Sequence, residues 1–343
     1  MPDGGSNETL MRLAVIEANR GVGLTSPNPA VGAILVRNGE VLARGYHARA
    51  GAPHAEVDCL RHVDLSVSRG ATLYVTLEPC STFGKTPPCT DAIIAAGVSE
   101  VVIGAIDPNP QHAGRALQIL KTAGVGVRSG VLAEECAAIN PGFNKWIRTG
   151  RPLVIVKCGM TLDGRLTRPP REGQWITSAA ARRHANRRRA DVDAILVGAE
   201  TVRADNPHLT VRGIAGARQP WRVVLTRSGR LPRSAHVFTD THSDRTIVLQ
   251  NQALERVLDQ LGRREITSVL IEGGGDIIGQ AVDGGLIDRV ELYVGAVLTG
   301  GPVVAFSGVG AASTAGALKL IQPRYEAVGG DVFMSAAVES ATS

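Results

Sequence analysis

Short runs of β-branched and apolar residues alternate with amphipathic stretches along the first 150 residues of the chain. The runs predict strands, and the stretches between them, three of which stop at a glycine, predict helices. Such alternation is typical of a sheet covered by helices. The predicted strands cover residues 31–37, 72–77 and 101–104, and the predicted helices cover residues 8–20, 54–63, 90–96 and 113–123.

The pair Asn38-Gly39 separates two apolar runs, residues 34–37 and 41–43. Both residues tolerate a positive φ, which the tight turn of a β-hairpin requires. We therefore expect the first two strands of this sheet to be antiparallel.

The pattern is interrupted at Gly150 and Pro152 and then resumes. We place a domain boundary there, with one α/β domain over residues 1–148 and a second over residues 149–343. The compositionally biased tail, residues 335–343, is expected to fray. The second domain has predicted strands at 153–157, 194–198, 222–226, 246–249, 268–271 and 290–294, and predicted helices at 178–189, 252–261 and 276–283.

The composition is that of a globular protein, with 44% hydrophobic and 20% charged residues, and it argues against a largely disordered chain. The apolar runs stay below the roughly 18 residues that a membrane helix needs. The N-terminal residues lack the basic start and apolar stretch of a signal peptide. We therefore expect a cytoplasmic protein that does not contact a membrane.

The net charge of +5 is distributed unevenly. Residues 1–150 carry 13 basic and 13 acidic side chains, so the excess lies in the second domain. Residues 165–189 alone hold eight arginines and one acid, Glu172. Aromatic residues number 5 Phe, 3 Trp and 4 Tyr, too few for an array of base-stacking side chains. A general nucleic-acid surface is therefore disfavoured.

Three metal-binding side chains, His54, Cys80 and Cys89, occur in two short pieces of the first domain. One imidazole and two thiolates form a three-ligand zinc set, which leaves the fourth tetrahedral position open, as in catalytic sites. Glu56 is placed to move a proton between a zinc-activated water and a leaving amine. The pattern matches that of nucleobase deaminases, although the spacing between the cysteines is longer.

Spacing alone leaves two alternatives open, namely a disulfide between Cys80 and Cys89 or cysteines that bind nothing. A cytoplasmic location disfavours the disulfide, and the entry of His-Ala-Glu into a predicted helix disfavours the second alternative. The remaining cysteines lack such neighbours and are expected to be small buried side chains; they are Cys59, Cys136 and Cys158.

The motifs HAE (54–56), LEPC (77–80) and GKTPPC (84–89) resemble the deaminase domain of the bifunctional riboflavin-biosynthesis deaminase/reductases. NPxVG (28–32), GYH (45–47) and DPNP (107–110) resemble the same family in the same order. The resemblance implies a cytidine-deaminase-like three-layer fold, with zinc bound by His54, Cys80 and Cys89 and a proton shuttled by Glu56. The substrate contacts that it implies are Asn28, His47, Lys85 and Thr86.

One departure from this family lies next to the zinc motif. The family usually carries histidine at the position of Thr82, and often histidine or an aromatic residue at that of Phe83. Threonine can donate a hydrogen bond but does not titrate, so one expected substrate contact is altered. The zinc ligands and Glu56 are intact.

In the second domain, Gly273, Gly274 and Gly275 follow a predicted strand and open a predicted helix. Backbone N–H groups at such a helix start can hold a phosphate, and a tight structural turn is the alternative interpretation. The dinucleotide pattern GxGxxG is absent. The arginines of residues 165–189 cannot all share one helix face, so some are solvated, while their density favours at least one anion site.

The motifs LDGR (162–165), QWIT (174–177), AILVG (194–198) and EGG (272–274), and the pattern from Thr201 to Arg212, resemble the reductase domain of the same family. That domain has a dihydrofolate-reductase-like α/β fold. Asp163 matches a family position near the site. The implied NADPH contacts are Met160, Trp175, Thr177, Thr201, Asp205, Gly273, Gly274 and Gly275, and the implied substrate contacts are Lys157, Arg189, Leu209, Arg212 and Glu272.

The second domain also departs from the family. Gly173 stands where a substrate-contacting serine is common, Thr226 replaces an aspartate usual at a strand end, and Gly295-Ala296 replaces a usual Ala-Pro. The first of these changes weakens an expected contact.

These observations predict a two-step enzyme that uses Zn²⁺ and NADPH. The first domain would hydrolyse the ring amino group of a phosphoribosylated diaminopyrimidinone, and the second would reduce the ribosyl group to a ribityl side chain. We expect a phosphorylated pyrimidine as the binding partner, no nucleic acid, and a homo-oligomer. The alternatives are a nucleobase or RNA deaminase with an unrelated C-terminal domain, and a catalytically impaired regulatory homologue.

Overall fold

The computed structural model describes residues 6–83, 87–166 and 175–339. The chain forms two compact units, Met1–Gly150 and Arg151–Ser343. Among the described helices, none combines the length and apolar character needed to cross a membrane.

The first unit is a three-layer α/β structure. Its five-stranded sheet has the order β2-β1-β3-β4-β5, in which β1 is antiparallel to β2 and β3, and β3, β4 and β5 are parallel. The antiparallel pairing of β1 and β2 confirms the expected hairpin. The elements are α1 (Asn7–Asn19), β1 (Gly32–Arg37), β2 (Glu40–Tyr46), α2 (Ala55–Leu60), α3 (Leu65–Ser68), β3 (Thr72–Leu77), α4 (Cys89–Ala95), β4 (Glu100–Ala105), α5 (Arg115–Thr122), β5 (Gly126–Ser129), α6 (Ala133–Ala137) and α7 (Pro141–Thr149).

Helices cover both faces of this sheet. On one face, α1 and α6 pack through Met11, Ala14 and Cys136. On the other face, Cys59 of α2 and Ile93 of α4 belong to a second buried cluster with the strands. The central strands β1, β3 and β4 are therefore buried from both sides, which explains why they read as nearly continuous apolar runs.

The second unit contains an eight-stranded mixed sheet with the order β12-β13-β11-β6-β10-β7-β8-β9. The strands from β11 to β9 in this order are mutually parallel, and β12 and β13 form an antiparallel hairpin on β11. The elements are β6 (Leu153–Thr161), α8 (Ala179–Arg188), β7 (Ala194–Gly198), α9 (Ala199–Asp205), β8 (Trp221–Thr226), α10 (His236–Thr239), β9 (Thr246–Gln250), α11 (Leu254–Arg263), β10 (Ser268–Ile271), α12 (Gly275–Asp283), β11 (Arg289–Gly295), β12 (Leu320–Val328) and β13 (Asp331–Val338).

The expectation of a frayed tail from residue 335 was wrong. Residues 335–338 belong to β13, which pairs with β11, and Ala336 and Val338 are buried in the core. The small serine and alanine side chains at 335–337 gave no apolar run from which a strand could be predicted. Residues 340–343 lie outside the described part of the chain.

Candidate active sites

The metal-binding residues of the first unit converge at the carboxyl end of β3. His54 precedes the first residue of α2, Cys80 follows β3, and Cys89 begins α4. His54 Nδ1 lies 3.2 Å from Cys89 Sγ and 3.5 Å from Cys80 Sγ, and all three atoms lie within 4.8 Å of one another. One imidazole and two sulfurs at this spacing fit a zinc ion with an open coordination position.

The structure contains no disulfide between Cys80 and Cys89. A hydrogen bond from Cys89 lowers the pKa of Cys80, with a further contribution from His54 and against the effect of burial. The sulfur of Cys80 is thus prepared to bind a cation as a thiolate. The other cysteines, Cys59, Cys136 and Cys158, are buried as expected.

Glu56 lies in the first turn of α2 and is buried beside this cluster. Burial raises the pKa of Glu56 to about 7, and the nearby Cys80 adds to the increase. A carboxyl group with a pKa near neutrality can both accept and return a proton, which is the property of a general acid/base.

Asn28 and His47 form a pair next to the metal cluster. Asn28 Nδ2 lies 3.3 Å from His47 Nε2, and the His47 ring packs edge-on against that of His54 at 5.2 Å. Since the Pro53 carbonyl can only accept, His47 donates from Nδ1 at 3.0 Å, and Nε2 is then the acceptor for Asn28. Burial lowers the pKa of His47, which favours this neutral ring.

The turn that carries Asn28 is held by hydrogen bonds from Asn140, a residue distant in the sequence. Asn140, just before α7, accepts from the Ala30 N–H at 2.7 Å and donates to the Ala30 carbonyl at 2.8 Å. Both backbone groups of Ala30 are therefore satisfied by one side chain.

Glu78 is a positioning residue that the sequence patterns did not single out. It is buried, and its carboxylate accepts from the N–H groups of Asp107 at 3.2 Å, Gly114 at 2.9 Å and Ala116 at 3.0 Å. Glu78 thus anchors the segment that begins with DPNP. Its signal in the sequence was an acid immediately before Pro79-Cys80.

The zinc loop itself is only partly described. Phe83 is 78% exposed and Thr82 is half-buried. Lys85 and Thr86, the other implied substrate contacts, lie outside the described residues.

In the second unit, three predicted substrate residues form one charged group. Glu272 follows β10 with a buried side chain, and Arg189 Nε and Nη2 donate to its two carboxylate oxygens at 2.6 and 2.8 Å. Lys157 Nζ on β6 lies 3.5 Å from the same carboxylate. Burial opposes ionisation, but the charges of Arg189 and Lys157 lower the pKa of Glu272 to about 2.

The segment after α9 passes beside this group. Arg189 Nη1 donates to the Thr210 carbonyl at 3.1 Å. Leu209 has a positive φ of 53°, and its buried side chain packs into the core. Arg212 is exposed, and its backbone is bound by the Asn186 side chain at 2.6 and 3.1 Å.

A cleft of about 450 Å³ opens at the carboxyl ends of β7, β8 and β10. In parallel sheets, ligands bind at this end of the strands. Its lining includes the predicted residues Thr201, Gly274 and Gly275. Thr226, which departs from the family at the end of β8, also lines the cleft. Further lining residues were not revealed by the sequence patterns; they are Arg227, Ser228, Pro302, Val303, Val304 and Ser307.

The glycine loop is closely packed around this cleft. A Cβ atom at Gly275 would lie 2.3 Å from the Val304 carbonyl oxygen, and one at Gly273 would lie 3.1 Å from Thr201 Oγ1. Gly275 begins α12, so the loop presents backbone N–H groups at a helix start, a cradle that fits a coenzyme phosphate.

The other implied coenzyme residues lie outside the described lining of this cleft. Thr177 lies next to Gly159 of β6, and Met160 packs partly buried against the core. Trp175 is half-exposed, with the Arg182 guanidinium stacked 4.8 Å from its ring. Asp205 is the exposed last residue of α9.

The arginine-rich segment divides into paired and solvated residues. Besides Arg189, Arg188 makes a bidentate pair with buried Glu291 of β11, with its shortest N–O distance at 2.8 Å. Arg183 and Arg187 are exposed, which confirms that some of these arginines are solvated. Two of the described arginines, Arg188 and Arg189, are therefore balanced by buried carboxylates.

Comparisons with known proteins cover both units. Residues 152–334 match the RibD C-terminal domain family, and residues 5–105 match the zinc-binding region of cytidine and deoxycytidylate deaminases. The riboflavin biosynthesis protein RibD of Mycobacterium tuberculosis (strain H37Rv) is 41% identical, covering 96% of this chain and 97% of that protein. RibD of Acinetobacter baumannii superposes with a TM-score of 0.90 at 35% identity, covering 97% and 99% of the two chains.

A second solved structure, from Thermotoga maritima, has a TM-score of 0.88 at 34% identity, with the same coverage of 97% and 99%. That protein is a diaminohydroxyphosphoribosylaminopyrimidine deaminase/5-amino-6-(5-phosphoribosylamino)uracil reductase. The expected pairing of a cytidine-deaminase-like domain with a dihydrofolate-reductase-like domain is confirmed by these matches.

Proposed function

The chain belongs to the RibD family, and we propose which of its residues carry each of the two reactions of that family. It is a bifunctional deaminase/reductase of riboflavin biosynthesis that uses zinc and NADPH. Deamination is assigned to residues 1–148 and reduction to residues 149–343. The observation that carries the assignment is that Glu56 and the His54–Cys80–Cys89 cluster form one site, while the glycine-loop cleft lies within the other unit.

In the deaminase site, His54, Cys80 and Cys89 hold the zinc ion. Bound zinc acts as a Lewis acid that makes water acidic enough to attack at neutral pH. Glu56 takes the proton of the attacking water on its carboxylate and returns it to the departing ammonia. Its burial favours the protonated form that the second step needs.

The substrate is oriented by hydrogen bonds. The Asn28 amide and the neutral His47 ring present polar atoms beside the metal cluster, and they bind the polar edge of the pyrimidine. We assign Lys85 to the substrate phosphate and Thr86 to a neighbouring polar contact. A fixed substrate converts attack by water into an effectively intramolecular step.

In the reductase site, bound NADPH would supply the hydride equivalent for reduction of the ribosyl group. The N–H groups at Gly273, Gly274 and Gly275 bind a coenzyme phosphate, and Thr201 lines the same cleft. Met160, Trp175, Thr177 and Asp205 are assigned to the rest of the coenzyme on the basis of the family motifs alone.

Substrate binding in the reductase rests on a pair rather than a lone cation. Arg189 forms a bidentate ion pair with Glu272. We assign this pair, together with Lys157, as a rigid array of donors and acceptors for the ribosyl hydroxyls. Arg212 has an exposed guanidinium and suits the substrate phosphate. Leu209 contributes by shaping the backbone of this segment.

The decisive experiment is anaerobic incubation with the phosphoribosylated diaminopyrimidinone and NADPH, in which ammonia and NADPH absorbance are followed separately. Both signals are expected. A zinc chelator should abolish ammonia release and spare reduction of substrate that has already been deaminated. Loss of both activities with the chelator would contradict separate sites.

We further propose that the chain is a cytoplasmic homo-oligomer that does not bind nucleic acid. Strand β12 forms an edge of the eight-stranded sheet and exposes Leu320, Ile321 and Tyr325, and exposed edges of this kind invite pairing with a second chain. Light scattering after size-exclusion chromatography tests the mass, and Tyr325→Glu should shift it toward the monomer. A gel shift with single-stranded RNA should show no retardation.

A further inference from the structure

The segment between β11 and β12 helps to form the cleft assigned above to NADPH. We call residues 297–307 the wall segment, because Pro302, Val303, Val304 and Ser307 line the cleft. The wall segment contains no helix or strand beyond an isolated bridge between Val304 and Arg165. Its position therefore depends on bonds from neighbouring parts of the fold.

The turn after β6 provides backbone bonds to both ends of the wall segment. Leu162 N–H donates to the Val297 carbonyl at 2.9 Å, and Leu166 N–H donates to the Val303 carbonyl at 3.0 Å. Ala305 N–H donates back to the Gly164 carbonyl at 2.9 Å. The turn and the wall segment are thus joined at Val297, before the residues that line the cleft, and at Val303 and Ala305, among them.

Asp163 joins the middle of the wall segment to the same turn. Its carboxylate accepts from the Gly300 N–H at 2.8 Å and from the Thr299 N–H at 3.2 Å, and the Thr161 hydroxyl donates to it at 2.5 Å. Hydrogen bonds to an ionised acceptor are stronger than neutral ones. The bond from Thr161, followed by those from the two backbone N–H groups, lowers the pKa of Asp163 to about 2.

We infer that Asp163 is a positioning residue for the coenzyme: by holding Thr299 and Gly300 it sets the place of Pro302 and Val303 against bound NADPH. The inference rests on the proposed assignment of the cleft to NADPH. Asp163 is absent from the described lining of the cleft, so its effect passes through the wall segment.

Asp283 of α12 is a matched control, because its carboxylate also accepts from two backbone N–H groups between β11 and β12. It accepts from the Val309 N–H at 2.8 Å and the Gly310 N–H at 3.1 Å, beyond the wall segment. Neither of these two residues belongs to the described lining of the cleft. If NADPH binding depends only on the general order of residues 297–310, loss of either carboxylate should weaken it. If it depends on the position of the wall segment, only the loss of the Asp163 carboxylate should weaken it.

The test compares Asp163→Asn and Asp283→Asn in the full chain. Asp163→Asn should raise the Kd and the KM for NADPH about 10-fold, as expected for the loss of charge-assisted hydrogen bonds, while kcat at saturating NADPH changes less than about 2-fold. Asp283→Asn should leave all three within about 2-fold. Asp163→Glu, which keeps the charge but lengthens the side chain, should give an intermediate Kd. Ammonia release should be unchanged in every variant, which reports that the first unit is intact, while a retained kcat at saturating NADPH reports that the second unit is folded.

Equal effects of the Asn variants on NADPH binding, or an unchanged Kd in Asp163→Asn, would overturn the inference. If Asp163→Asn fails to fold, Asp163→Glu supplies the same decision. A separate variant tests the assignment of the cleft to NADPH. Arg227→Ala changes the cleft lining at a residue outside the wall segment, and if the cleft does not bind NADPH, this variant should leave the Kd for NADPH unchanged.

Discussion

The Arg189 guanidinium and the Glu272 carboxylate form a bidentate ion pair, with N–O distances of 2.6 and 2.8 Å, in which the two side chains are only 14% and 4% exposed. Removing one partner of such a pair leaves a buried charge uncompensated. Lys157, at 3.5 Å, is too far away to replace both hydrogen bonds.

Arg189→Ala should therefore lower the free energy of unfolding by about 3 to 5 kcal/mol, as well as weakening substrate binding. Arg212→Ala, at an exposed position, should change the free energy of unfolding by less than about 0.5 kcal/mol while raising the KM for the phosphorylated substrate. Urea denaturation and reductase kinetics measure the two effects. Equal destabilisation by both substitutions would contradict the structural role of the Arg189 pair.

Glu272 also predicts how stability depends on pH. Its pKa is about 2 in the folded chain against an ordinary value of 4.5, so the unfolded chain takes up a proton first as the pH falls. The pair therefore contributes fully above about pH 5, and this contribution, on the order of 3 kcal/mol, is lost between pH 5 and pH 2. Urea denaturation of the chain and of Glu272→Gln across this range should give curves that converge toward low pH.

Glu56→Gln should keep zinc but lose deamination. The amide keeps the size of the side chain and cannot transfer the proton, so ammonia release should fall by at least about 100-fold. Metal analysis should still find one zinc per chain, and reduction of pre-deaminated substrate should be unchanged. Wild-type rates of ammonia release would remove Glu56 from its assigned role.

Arg227 lines the cleft beside Thr226 and Ser228. An arginine at the end of a strand in this position can pair with the phosphate that distinguishes NADPH from NADH. Arg227→Ala should raise the KM for NADPH about 10-fold and leave that for NADH unchanged. Arg183→Ala, which removes an exposed arginine from α8, is the control and should alter neither KM.

Features encoded by neighbouring residues could be predicted from the sequence. His54 and Glu56 enter one helix, and the glycines at 273–275 stand between β10 and α12, so local motifs placed these groups at element ends. Parallel strands then bring their carboxyl ends to one edge of a sheet. The zinc cluster and part of the coenzyme cleft follow from this rule.

Features that depend on distant parts of the chain could not be predicted. Arg189 and Glu272 are separated by 83 positions, and although the family motifs implied a role for each, nothing in the sequence indicated that the two side chains pair. Glu78 binds N–H groups that any residue type would offer. The wall of the coenzyme cleft is irregular and carries no periodic pattern, so Val303 and Val304 gave no signal.

The double hydrogen bond between Asn140 and Ala30 limits where the gene can be divided. A deaminase fragment that stops in the 130s would retain Glu56 and the His54–Cys80–Cys89 cluster, yet it would lose the Asn140 side chain that binds the turn bearing Asn28. Such a fragment could bind zinc while turning over its substrate poorly. A separately expressed deaminase should therefore extend through Thr149, the last residue of α7.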